Sequence, residues 1–245
     1  GVGGDGRRGA SPEAEEPVDT ATLPDEPLLA IMGKRFPLDL VGGEFTVHGI
    51  PVFIKEKANT GEGTGHTVWD GGVVLAKYLE HAYPSGLVGK TVLELGAGTG
   101  IVGIVASVLG AKHVYLTDLP YTLPTLQETI DLNAAVAKGR VMAMPLDWTK
   151  PDDPFDDVDV ILASDVVWVQ ELITPLVNVL KHLTARPDPP MVILSHQTRS
   201  TASDEAFFGS LRETFDIKSI PVDDHHPEYN DDVIGIYELR RKTGD

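Results

Sequence analysis

Glu94 and Asp118 stand 24 positions apart, and Gly96, Gly98 and Gly100 follow the first of them in "VLELGAGTGIVGI". Each acid closes a short apolar run, "KTVLEL" and "KHVYLTD". Glycines at 96 and 98 are free to take positive φ and carry no Cβ to block a ligand. The turn then delivers the backbone N–H groups that open the next helix. Bare backbone flanked by two carboxylates is a place to hold a small molecule rich in cations or hydroxyls.

Three ligands compete for it. "GLVGKT" ends like a nucleoside-triphosphate loop, but Pro84 stands where that motif needs glycine, and the stretch precedes its strand. A dinucleotide fingerprint needs glycine at 101, where Ile101 stands, and an acid on the turn repels a pyrophosphate. S-adenosylmethionine has no phosphate and carries a sulfonium and an ammonium, so a nearby carboxylate attracts it. Asp118 then suits both ribose hydroxyls. The bland alternative is that Glu94 and Asp118 cap helices.

These residues need a sheet to position them. "TVWDGGVVLAKYLEHAY" carries Trp69, Gly72, Val73, Ala76, Leu79 and Tyr83 on one helical stripe and ends before Pro84. "KTVLELG" reads as a strand buried on both faces. "TGIVGIVASVLG" is a helix closed by Gly110, and "KHVYLTD" a second strand. A helix opening at Pro120 sets Leu123, Leu126, Ile130 and Ala134 on one face. "RVMAMPLDW", "DVDVILASDVVW" and "PMVILSH" supply three more strands. "QELITPLVNVLKHLTA" is a helix with Leu172, Leu176, Val179 and Leu183 inward, and "SDEAFFGSLRETF" one capped by Ser203. "DIKSIPVD" and "DVIGIYELRR" have only a loop between them, so they pair antiparallel. The expected fold is α/β: a doubly wound, mostly parallel seven-stranded sheet with an antiparallel C-terminal edge and helices on both faces. Short β runs across residues 28–58 form a small N-terminal appendage within a domain spanning 28–245.

Residues 1–27 hold seven acids and two arginines, lack periodicity and read as a disordered tail. They carry −5 of the net charge of −17, which leaves −12 on the folded part. Such an acidic chain does not suit a nucleic-acid backbone and attracts basic partners. No run of about 18 apolar residues exists, so no membrane span is expected. There is no cysteine, which excludes disulfides, thiolate zinc sites and cysteine nucleophiles and fits a reducing compartment.

The motifs also resemble a known family. "VWDGGVVLAKYLE", "VLELGAGTGIVGIVASVLGA", "TDLP", "LDW" and "ILASDVVW" occur in the order found in the seven-β-strand methyltransferases. More narrowly, the chain is similar to the family 16 protein-lysine methyltransferases over roughly residues 45–241. "ELGAGTG" specifies only the cofactor class; "VWD" upstream and "ASDVVW" downstream narrow it. The resemblance implies S-adenosylmethionine as cofactor and a lysine of a basic or locally basic protein as acceptor, in the cytoplasm with the nucleus as a second location. It implies that Trp69 lies over the cofactor and that Glu94, Gly96 and Gly98 meet its methionine part. Asp118 holds the ribose, with Leu119 beside the adenine and Asp147 and Trp148 at the adenine edge. Ser164 replaces a frequent alanine. Asp165 and Trp168 match an acid-x-x-aromatic motif at the catalytic acceptor site, where the family usually has tyrosine. A cation over a tryptophan face gains about 0.5–2 kcal/mol, which suits both the sulfonium and a lysine.

Two other patterns carry less. "DDHHPE", residues 223–228, reads as a solvated loop, because adjacent histidines in a turn rarely chelate one ion. No metal centre is expected. "SHQT" lacks the elbow of a hydrolase nucleophile. A small-molecule methyltransferase would need a lid insertion, and a non-catalytic binding module would show a damaged turn; the sequence offers neither.

Overall fold

The computed structural model describes residues 34–58 and 61–244. The boundary expected at residues 27 and 28 lies outside them. Nine strands and five α-helices follow: β1 (Thr46–Val47), β2 (Ile50–Pro51), α1 (Asp70–Ala82), β3 (Thr91–Leu95), α2 (Ile101–Val108), β4 (His113–Asp118), α3 (Leu123–Leu132), β5 (Arg140–Pro145), β6 (Val160–Ser164), α4 (Ile173–Leu183), β7 (Met191–Gln197), α5 (Thr201–Arg212), β8 (Phe215–Ile220) and β9 (Ile234–Arg241). β1 and β2 form a separate antiparallel pair. The other seven strands form one sheet in the order β5-β4-β3-β6-β7-β9-β8. β9 runs antiparallel to both its neighbours, and the remaining pairs are parallel. The expected antiparallel pairing of the last two strands is present. Within it, β9 inserts against β7 and leaves β8 outermost.

Strand period 2 sorts the core into two layers. Val92, Val114, Leu162 and Ile193 pack toward α1, α2 and the N-terminal hairpin. Leu93, Leu95, Ile161 and Leu194 pack toward α4 and α5. Glu94 shares the face of Val92, so the pleat alone drives its carboxyl under the α1–α2 layer. The chain order reverses between β3 and β6, and there the sheet opens a crevice at its carboxyl edge.

Three details depart from the sequence reading. Ala134 is exposed, and Asn133 turns inward instead. Its amide exchanges hydrogen bonds with the Phe53 backbone, while Thr129 Oγ1 accepts the Lys55 N–H, so a polar stripe on α3 fixes the N-terminal segment. Apolar periodicity does not register such a stripe. His225 is buried within the 223–228 loop, against the solvated character expected there, and its Nε2 meets Ile220 O at 3.1 Å.

The third departure is the cap of α5. Ser200 takes that role: its side chain accepts the Ser203 N–H at 3.0 Å, so Ser203 is the donor rather than the cap. Ser200→Ala is expected to cost about 1 kcal/mol in urea unfolding, the usual loss of an N-cap. Ser203→Ala should cost at most about 0.5 kcal/mol.

Candidate functional site

A cavity of about 630 Å³ lies over the ends of β3, β4 and β6. That is ample for a nucleoside-sized ligand. Its floor is the turn from β3 into α2. Gly96 and Gly98 there have φ of 61° and 56°. A Cβ on Gly98 would stand 3.2 Å from Gly65 O, so a side chain would push the covering segment 61–69 off the turn. That segment closes the cavity from above. Trp69 Nε1 donates to Thr64 O at 3.2 Å, and Gly65 N donates to Tyr121 Oη at 3.0 Å.

The wall on the β4–β5 side carries Asp118, Leu119, Asp147 and Trp148. Asp118 Oδ2 accepts Gly98 N–H at 2.7 Å, and Oδ1 accepts Leu119 N–H at 2.6 Å. Two backbone donors thereby fix the carboxylate against the turn. Burial nevertheless pushes its pKa upward, against those two hydrogen bonds. Asp147 is exposed, and hydrogen bonds from the Thr149 hydroxyl and N–H hold its carboxyl below the usual range.

Ser164, Asp165, Trp168 and Arg199 line the opposite side. Asp165 has φ of 49°, a left-handed conformation uncommon outside glycine, asparagine and aspartate. Its N–H donates to Ser195 O at 3.2 Å, and Ser195 Oγ donates to Gly71 O at 2.8 Å. A Cβ on Gly71 would lie 2.9 Å from Asp165 Cβ. The start of α1 and the end of β7 thus clamp the aspartate. Trp168 stands at the mouth, 45% exposed.

Ten of the eleven residues singled out from sequence therefore meet around one cavity: Trp69, Gly96, Gly98, Asp118, Leu119, Asp147, Trp148, Ser164, Asp165 and Trp168. Glu94 does not reach its wall. Its carboxyl is 1% exposed behind the turn, where Oε2 accepts Gly103 N–H at 2.8 Å and Oε1 has no partner. The pleat explains that placement, and the carboxyl supports the start of α2 from behind the turn. Sequence reasoning missed the covering segment, Tyr121, Glu171 and Arg199, which also line the space. Tyr121 alone left a signal, in the Pro120 that opens the turn right after Asp118.

A sulfonium nucleoside fits this site on its geometry. The glycine turn leaves backbone where a Cβ would clash, the fixed Asp118 carboxylate suits vicinal hydroxyls, and among the described residues that line the β4–β5 wall there is no lysine or arginine.

Comparison with known proteins agrees with this geometry. The family described as "Lysine methyltransferase" matches residues 51–214. Protein N-lysine methyltransferase METTL21A of Danio rerio is 37% identical over 166 residues, covering 66% of this chain and 73% of that protein. EEF1A lysine methyltransferase 3 of Xenopus tropicalis is 29% identical over 194 residues, covering 79% of this chain and 82% of that protein. Among solved structures, mitomycin 7-O-methyltransferase MmcR shares the fold with a TM-score of 0.51 at 18% identity, over 71% of this chain and 53% of the other.

Proposed function

The chain belongs to the lysine methyltransferase family, and on that premise we propose that it methylates a lysine of a basic protein using S-adenosylmethionine held along the β4–β5 wall. The observation that carries this reading is one cavity with a carboxylate-fixed glycine turn on one side and a clamped Asp165 on the other. When bound, the cofactor supplies a methyl group made electrophilic by its sulfonium.

The chain's own residues would bind, align and exclude water. Asp118 would accept the ribose hydroxyls, its orientation set by Gly98 and Leu119 N–H. Leu119, Asp147 and Trp148 would frame the base. Gly96 and Gly98 would let the ligand approach the backbone, and Trp69 would cover it. Ser164 separates the two halves at the end of β6. Asp165 would seat the acceptor's ammonium, and Trp168 would wall its channel. Among the described residues, Glu62, Asp118, Asp147, Asp165 and Glu171 line the cavity against one lysine or arginine, Arg199. That balance favours a cationic segment over nucleic acid. The Xenopus relative is named for EEF1A, which makes EEF1A a first substrate to try.

No helix among the described residues is long and apolar enough to cross a membrane. A cytoplasmic location, with the nucleus beside it, is part of the proposal and is checked by fractionation.

The test is incubation with methyl-labelled S-adenosylmethionine and a proteome extract, followed by mass spectrometry. Label on lysine supports the reading; label confined to small molecules overturns it. Asp118→Ala should weaken cofactor binding in calorimetry by roughly 1–3 kcal/mol, the range for charge-assisted hydrogen bonds. Unchanged affinity would remove Asp118 from the site.

A further inference from the structure

Resting on the reading of Asp165 as the acceptor's seat, we propose that Arg199 competes for this seat and that its guanidinium must leave before a lysine ammonium is admitted. Arg199 is a gating residue that screens what reaches the carboxylate.

Arg199 Nη2 bridges both oxygens of Asp165, at 3.2 and 3.1 Å. The contact lies in the cavity, since both residues line it. It shows that an organic cation fits there. The partners differ in freedom: the Asp165 side chain is 7% exposed and that of Arg199 is 43% exposed. Asp165 is clamped by Ser195 and by the close approach of Gly71. Arg199 stands between β7 and α5, and no other hydrogen-bond acceptor holds its guanidinium among the described residues. The carboxylate is therefore the fixed half of the pair, and the cation is the half that can move.

The pair also answers an electrostatic need. A carboxylate this enclosed is costly to leave without a counter-charge. Arg199 supplies one until the substrate arrives. Exchange then trades one cation for another at Asp165, while the guanidinium returns to water at the rim. A neutral side chain cannot make this exchange, because it would leave the carboxylate unpaired. The gate thus selects an ammonium on a long, slender stem over hydroxyl or amide groups of similar size.

The test uses n-butylammonium, a mimic of the lysine side chain, titrated into the full chain and followed by tryptophan fluorescence, with n-butanol as the neutral control. Arg199→Gln is expected to bind the ammonium at least about fivefold tighter than wild type, as removal of a competing bound state requires. Arg199→Lys keeps a cation of similar reach and should stay within about twofold of wild type. Butanol binding should not respond to either change. Asp165→Asn should abolish ammonium binding in every background. Equal or weaker binding to Arg199→Gln, with Asp165→Asn still abolishing it, would overturn the gate and leave the seat intact. Undiminished binding to Asp165→Asn would overturn the seat itself, and the gate with it. Melting curves within a few degrees of wild type confirm that each variant folds; if Arg199→Gln does not, Arg199→Met provides the same comparison.

Discussion

Asp165→Asn is expected to lower methyl transfer by at least about 100-fold while cofactor affinity stays within a few-fold, as for an interaction made with the reacting acceptor alone. Asparagine is chosen over alanine because Asp165 has φ of 49°, and asparagine tolerates that region. A loss of activity then reports the missing charge rather than a strained backbone. The expected split follows from topology. Asp165 follows β6 and is clamped by Gly71 and Ser195. Asp118 and its hydrogen bonds to Gly98 and Leu119 belong to the β3–β4 side. One side can lose a charge while the other keeps its geometry. Trp168→Ala should have a smaller effect, about 10-fold, since its ring is 45% exposed and a half-open wall excludes less water. Single-turnover transfer to a labelled lysine protein, with calorimetry of the cofactor, reads both quantities. Wild-type transfer rates in both variants would make the motif scaffold, and the acceptor would then approach elsewhere.

Much of this arrangement was legible in the residues because it sits on periodic elements. "TVLEL" reads as a two-sided buried strand, and all five residues are buried. The glycine turn and Asp118 follow strand ends, where a doubly wound sheet binds its ligands. Asp165 and Trp168 could be placed by the same rule. The pieces that escaped come from segments without a period. Arg199 joins the site only because β7 lies beside β6, so that Asp165 and the stretch after Gln197 end at one edge. The covering segment 61–69 is held by bonds its own backbone makes, such as Gly65 N–H donating to the Tyr121 hydroxyl, which no hydrophobic period announces. Glu94 shows what direction adds to type: strand period 2 puts it on the face of Val92, so its carboxyl lies behind the turn rather than on the cavity wall. The insertion of β9 between β7 and β8 likewise depends on long-range pairing, which an antiparallel hint at the chain's end cannot order.

Glu94→Gln is expected to remove a pH-dependent loss of stability that the wild type suffers above pH 5. Burial pushes the Glu94 carboxyl up to about 8; the Gly103 N–H opposes this, and the charge of Asp118 adds to it. The unfolded chain titrates this group near its ordinary value of 4.5. A folded pKa raised above the unfolded one gives stability that is complete below pH 4.5 and declines as pH rises toward 8. The full decline is on the order of 5 kcal/mol, at about 1.4 kcal/mol per pH unit. Glutamine matches the shape, keeps an acceptor for Gly103 N–H and never ionises. Oε1 has no hydrogen-bond partner, so an amide placed there inherits none and costs about 1–3 kcal/mol at every pH. The telling quantity is therefore the difference in urea unfolding free energy between variant and wild type at pH 5, 7 and 9. Glutamine should be the less stable form at pH 5, and the gap should close or invert by pH 9. Parallel curves would mean that Glu94 is ionised in the folded chain and has a counter-charge within reach. The same group offers a reading of the bound state. A cationic ligand on the turn above would favour the ionised form, so S-adenosylmethionine binding at pH 7 should release a proton in wild type and none through position 94 in the variant. Calorimetry in buffers of different ionisation enthalpy measures that proton directly. Equal proton release by both proteins would show that Glu94 supports α2 without sensing what the cavity holds.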